Sequence, residues 1–134
     1  MDEFELIRRY FTRDAHAADV IVGIGDDGAV LSPEPGTDQV QVIDTMVEGV
    51  HFPSGMAAAD IGYRVGAVNL SDLAAMGAKP RWMTLALTLS GQDEQWVDEC
   101  ARGLFAAAAE YDVELVGGDT TSGEVVVATV HMTG

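Results

Sequence analysis

Two long helical stretches separated by a strand-like run constrain this chain more than any other feature. From Ala57 to Gly77 apolar residues recur at Ile61, Val65 and Val68, with Asp60 in the first turn and Gly77 and Pro80 as stop signals. From Asp93 to Tyr111 the pattern repeats, with Val97, Cys100, Leu104 and Ala108 on one face. Trp82 to Leu89, between them, alternates as a strand does. Shorter β-rich runs fall at Val20 to Val22, Ala29 to Leu31, Gln39 to Ile43, Val113 to Val116 and Val125 to Val130. Each helix must bury its apolar stripe against another layer, so this order predicts an α+β fold. Its sheet is mixed, mostly antiparallel and of about four strands, and the two long helices cover it. A short N-terminal helix capped by Asp2 carries Phe4, Ile7 and Phe11 on one face.

Composition enters where it excludes functions. The 134 residues suffice for one domain, and 22 acidic against 7 basic side chains leave a net charge of −15. No basic stripe exists to displace counterions from phosphates, so a nucleic-acid partner is not expected. No apolar run reaches the ~18 residues of a membrane span, and the acidic start MDEFELIRRY is unlike a signal peptide, so no membrane partner and a cytoplasmic location are expected. The surplus of acids also suits the solvated surface of a protein made in a salty cytoplasm. One cysteine, Cys100, allows no internal disulfide and no thiolate zinc site; it reads as a small core residue. The chain stops at His131-Met132-Thr133-Gly134 without a closing helix, which reads as a cut.

The acids are more informative than their number. In the helical series Ile61, Val65, Val68 the next member is Asp72, where a core residue is expected, and then Met76. Three predicted strands run into acids at their ends: Val20 to Val22 into Asp26-Asp27, Val42-Ile43 into Asp44, and Leu115-Val116 into Asp119. Carboxylates gathered from four segments in a partly desolvated cleft must protonate or take up a cation. Mg²⁺ suits them, since it takes hard oxygen ligands, keeps several waters and is usually shared with substrate phosphates. Glycines beside these acids let backbone N–H groups approach phosphate oxygens. Each motif also has a plain reading. Gly25-Asp26-Asp27-Gly28 is a solvated turn, Gly117-Gly118-Asp119 a strand-end turn, His51 a solvated imidazole, and Asp72 a partner for Arg64. Asn69, three residues before Asp72, is a second ligand or a structural hydrogen bond. No EF-hand series, His-Glu-x-x-His or P-loop is present.

In order, the strings from Gly23 to Leu31, Asp44 to Phe52, Ala67 to Ala78 and Gly117 to Thr121 closely resemble the N-terminal domain of the thiamine-monophosphate kinase family. That family lies within the aminoimidazole ribonucleotide synthetase superfamily. The resemblance runs from Phe4 to Gly134, and Asp44-Thr45-Met46-Val47-Glu48-Gly49-Val50-His51-Phe52 is its most distinctive string. It implies ATP-dependent phosphorylation of thiamine monophosphate to thiamine diphosphate. It also implies several Mg²⁺ ions on Asp27, Asp44, Asp72 and Asp119, with Asp26 a further candidate ligand; ATP against Gly118 and Asp119; and thiamine monophosphate at His51. Residues 1–134 then form the ATP- and Mg²⁺-binding N-terminal domain, the family's C-terminal domain being absent. A homodimer that joins two sheets into a barrel is implied as well. Val42 and Ile43 stand where the family often has Ser-Thr, so hydroxyl ligands are missing there.

A phosphate monoester, with a second pKa of about 6, attacks without a general base, so no catalytic proton carrier is expected and the acids serve as metal ligands. Two other readings stand beside this one. The chain is another ATP-using member of the superfamily, such as a ribonucleotide cyclo-ligase or selenophosphate synthetase, or it is a truncated dimerisation module without turnover.

Overall fold

The computed structural model describes residues 2–13 and 16–134. Helix α1, Glu3–Leu6, starts where the Asp2 side chain accepts the Glu5 N–H at 2.8 Å, and it continues as a π-helical turn over Ile7–Phe11. Strands β1, Val20–Val22, and β2, Val30–Leu31, form an antiparallel pair. There follow β3, Gln41–Val47; α2, Ala58–Ala75; β4, Trp82–Leu89; α3, Glu94–Ala109; β5, Glu114–Ser122; and β6, Val127–Thr133.

The last four strands make one sheet in the order β3-β6-β4-β5, antiparallel except between β4 and β5. Parallel neighbours cannot be joined by a hairpin, and α3 supplies the crossover from β4 to β5. Helix α2 makes the same kind of connection from β3 to β4, and β6 fills the gap between them. The architecture is therefore the expected α+β fold, with a mixed, mostly antiparallel four-stranded sheet and two long helices.

Helix α2 packs on β3 and β6 and lies along α3. Ile61, Val65 and Leu73 of α2 meet Val97 and Leu104 of α3 and Met83, Leu87, Val130 and Met132 of the sheet in one core. The helices touch backbone to backbone: a Cβ on Gly62 would strike the Cys100 carbonyl, and one on Gly103 would strike that of Ala59. On the other face of the sheet, Val20 and Leu31 pack against Trp82 and Val116, and an Arg81–Asp19 ion pair ties the β1–β2 pair down. Elsewhere that face stays open, as at Ile43, which is 63% exposed. No helix among the described residues is long and apolar enough to cross a membrane.

Two expectations need correction. The buried stripe of α2 runs through Ile61, Val65, Asn69 and Leu73, so Asp72 and Met76 fall on the exposed rim and no acid replaces a core residue. At 3.6 residues per turn each four-residue step advances the buried stripe by about 40°, so by the last turns the face against the core has rotated onto Leu73, and Asp72, about 100° away from it, points outward. Asp44 and Asp119 also lie inside β3 and β5 rather than at strand ends, because hydrogen bonding to β6 and β4 carries the backbone past them. Strand β3 thus runs on to Val47, four residues past the expected run from Gln39 to Ile43.

Candidate functional site

Asp44 shares the helix-facing side of β3 with the buried Met46, and Asp72 projects from the penultimate turn of α2. Their carboxyl groups are within hydrogen-bonding reach. That contact, followed by burial and the Asp72 charge, raises the pKa of Asp44 above its ordinary value. Two carboxylates can share such a contact only through a proton or a cation. No ion pair among the described residues involves either acid, so Arg64 does not neutralise Asp72.

Four more of the predicted residues line a cavity of about 920 Å³ between α1, the Ile24–Gly28 loop and the β4–β5 pair. Asp26, Asp27, Gly118 and Asp119 all border it, and Phe4, Ile7 and Phe11 form its apolar wall. Asp26 accepts the Asp27 N–H at 2.8 Å, which holds the acidic turn in shape. Gly118 has φ 153°, and a Cβ there would strike the Leu85 carbonyl, so only glycine fits.

Strand register relates the two groups of acids. Asp44, Val130, Leu85 and Gly118 form one row across the sheet, spanning three strand spacings or ~14 Å. Leu85 borders the cavity, and the fully buried Val130 stands between it and Asp44. Asp119 is in register with Ala86 and alternates to the opposite face, that of the Thr88–Thr121 hydroxyl contact at 3.1 Å. The fold thus pairs Asp44 with Asp72 and gathers Asp26, Asp27, Gly118 and Asp119 around the cavity. It does not merge the two sets: among the described residues no three His, Cys, Asp or Glu side chains are grouped to hold a metal. A pair of carboxylates without a counter-charge still fits Mg²⁺, which is commonly held by one or two carboxylates plus waters and phosphate oxygens.

His51 lies outside both sets, in a tight turn after β3. Its ring Nδ1 accepts the Val47 N–H at 2.9 Å, and the His51 backbone N–H donates to the Val47 carbonyl at 2.8 Å. Gly49, at φ 83°, makes the reversal, and Phe52, 4% exposed, anchors the turn in the core. An accepting Nδ1 assigns the ring proton to Nε2. Sequence reasoning passed over Glu48, whose Oε1 accepts the Val126 N–H at 3.2 Å and whose Oε2 accepts from Ser54 Oγ at 3.3 Å. Its only signal was its place in the string that holds His51. Asn69 is fully buried and bonds the Val65 carbonyl through Nδ2 at 2.9 Å, while its Oδ1 has no partner.

The N-terminal domain model of the AIR synthase related protein family matches residues 25–134. Over 123 residues the chain is 52% identical to thiamine-monophosphate kinase of Salmonella typhimurium, covering 90% of this chain and 38% of that protein. The crystal structure of thiamine-monophosphate kinase from Stenotrophomonas maltophilia superposes with a TM-score of 0.79 at 45% identity, over 96% of this chain and 40% of that one. A structure of AaThiL complexed with AMPPCP and TMP superposes with a TM-score of 0.69 at 29% identity, over 72% of this chain and 31% of that one. The chain thus spans about two fifths of the length of the curated relative.

Proposed function

The chain belongs to the AIR synthase related protein family, as its N-terminal domain, and from that membership we propose that residues 1–134 are the ATP- and Mg²⁺-binding N-terminal part of a thiamine-monophosphate kinase. The observation that carries this reading is the closeness of the Asp44 and Asp72 carboxyl groups, a pair that a proton or a cation must bridge. Two comparisons support it: the Salmonella typhimurium relative bears that enzyme's name, and AaThiL is complexed with AMPPCP and TMP.

In this reading Asp44 and Asp72 hold Mg²⁺, Asp27, Asp119 and Asp26 hold further ions, Gly118 and Asp119 lie against the nucleotide, and His51 meets thiamine monophosphate. Mg²⁺ supplies the positive charge that draws an anionic acceptor to an anionic γ-phosphoryl group. The chain's own contribution is placement. The carboxylates fix where charge is neutralised, Gly118 lets the backbone come close, and the Nε2–H of His51 donates to an oxygen of the substrate. A phosphate oxygen of thiamine monophosphate then attacks the γ-phosphorus in line. The bond to the β,γ-bridging oxygen breaks, and ADP leaves with that electron pair. The acceptor monoester is already ionised, so no residue need take a proton.

We place this enzyme in the cytoplasm, where ATP is at hand. The second domain of the longer relatives would complete the site. A homodimer closed through the sheet would cover the exposed Ile43 on edge strand β3. Calorimetry of ATP, with and without Mg²⁺ and thiamine monophosphate, tests the proposal on this chain and on a longer form containing it. Binding should require Mg²⁺ and disappear in D72A and D119A. Unchanged ATP affinity in either variant would overturn the ligand assignment, and a longer form that does not phosphorylate thiamine monophosphate would overturn the substrate.

A further inference from the structure

We propose that Glu48 is a positioning residue, which holds the turn after β3 so that His51 presents a neutral imidazole with its proton on Nε2. The use of that Nε2–H toward substrate rests on the proposed contact of His51 with thiamine monophosphate; the positioning device itself is visible in this chain. The β3–β6 ladder ends at Val47 opposite Val127. One residue further, the Glu48 N–H still donates to the Val126 carbonyl at 3.0 Å. The return bond, from the Val126 N–H, goes to the Glu48 side chain at 3.2 Å, so a carboxylate oxygen stands in for a backbone carbonyl as the chain reverses at Gly49. The second carboxylate oxygen takes the Ser54 hydroxyl from the far end of the turn at 3.3 Å. One side chain thereby joins both ends of the turn to Val126, just before β6 and 78 positions away.

What it holds still is the Val47 peptide. Val47 is on an edge strand, and its N–H is taken up by His51 Nδ1 rather than by another strand. While that bond persists Nδ1 cannot carry a proton, so the ring is a donor through Nε2 only. Removing the Glu48 carboxylate orphans Val126 N–H and Ser54 Oγ and frees the turn, and the two neutral tautomers of His51 should then exchange.

Long-range ¹⁵N–¹H spectra of the imidazole rings, recorded on this chain above the His pKa, read that tautomer directly. His51→Gln assigns the His51 signals against those of His16 and His131. The parent chain should show only the Nε2–H form at His51, E48Q should keep it, since an acceptor oxygen remains, and E48A should show both forms. A merely structural loss of stability would not change the ratio in the folded chain. A mixed tautomer in the parent, or a single Nε2–H form in folded E48A, overturns the proposal. If E48A does not fold, E48D, whose shorter reach breaks the clamp while keeping the charge, is held to the same outcome. Failure of the substrate reading looks different: in the longer form His51→Gln would bind thiamine monophosphate as the parent does, whatever the tautomer.

Discussion

At the scale of single residues the chemistry concentrates in Asp44. Its folded-state pKa lies above the ordinary carboxylate value, first through the Asp72 contact, so the folded chain binds this proton more tightly than the unfolded one. The stability linked to it is complete below the unfolded pKa and is lost as pH rises through the raised value. Metal-free D44N should therefore melt a few degrees above the parent at neutral pH, with the difference closing toward acid. Mg²⁺ should raise the melting point of the parent more than that of D44N, which keeps the other acids but loses one of this pair; calorimetric scans across pH with and without Mg²⁺ check both statements. Cys100 is the opposite case, a group removed from chemistry. Burial pushes its thiol up to about 12, and iodoacetamide at about pH 8 should leave it unmodified in the native chain while labelling it in denaturant. Mass spectrometry decides, and rapid native labelling would mean that the α2–α3 seam opens.

At the scale of elements the tightest constraint is the seam between α2 and α3. Because Gly62 and Gly103 face carbonyl groups, no side-chain rotation makes room for a methyl, and the helices must move apart. G62A and G103A should each cost about 1–3 kcal/mol or more in urea unfolding. Gly66 faces the Ala107 Cβ at 3.1 Å and Leu104 Cδ1 at 3.2 Å, contacts that a shift of a few tenths of an ångström relieves, so G66A should cost less. Equal costs at all three positions would show that the seam is not held by backbone contact. Element type was largely legible in the sequence: the expected strand Trp82 to Leu89 is β4, and both long helices lie within two residues of their expected ends. Strand ends were less legible, because Gly117-Gly118-Asp119 reads locally as a turn and becomes strand only when β4 supplies its hydrogen bonds.

At the scale of the whole molecule, a net charge of −15 on 134 residues acts on every element at once. Self-repulsion favours expansion, and salt shortens its range from ~30 Å at 0.01 M to ~3 Å at 1 M. The unfolding midpoint of the metal-free chain should rise steadily over that interval, and a flat salt profile would show that surface repulsion is not a significant term. The candidate site shows the same division between local and global information. Which acids sit beside glycines and which apolar residues repeat at helical spacing were readable along the chain, since both depend on neighbours a few positions apart. Only the folded sheet decided that Asp44 meets Asp72, that Val130 separates this pair from the cavity, and that Glu48 reaches Val126. Those relations depend on strand order and register, which arise from contacts between residues far apart in sequence, and no local pattern encodes them.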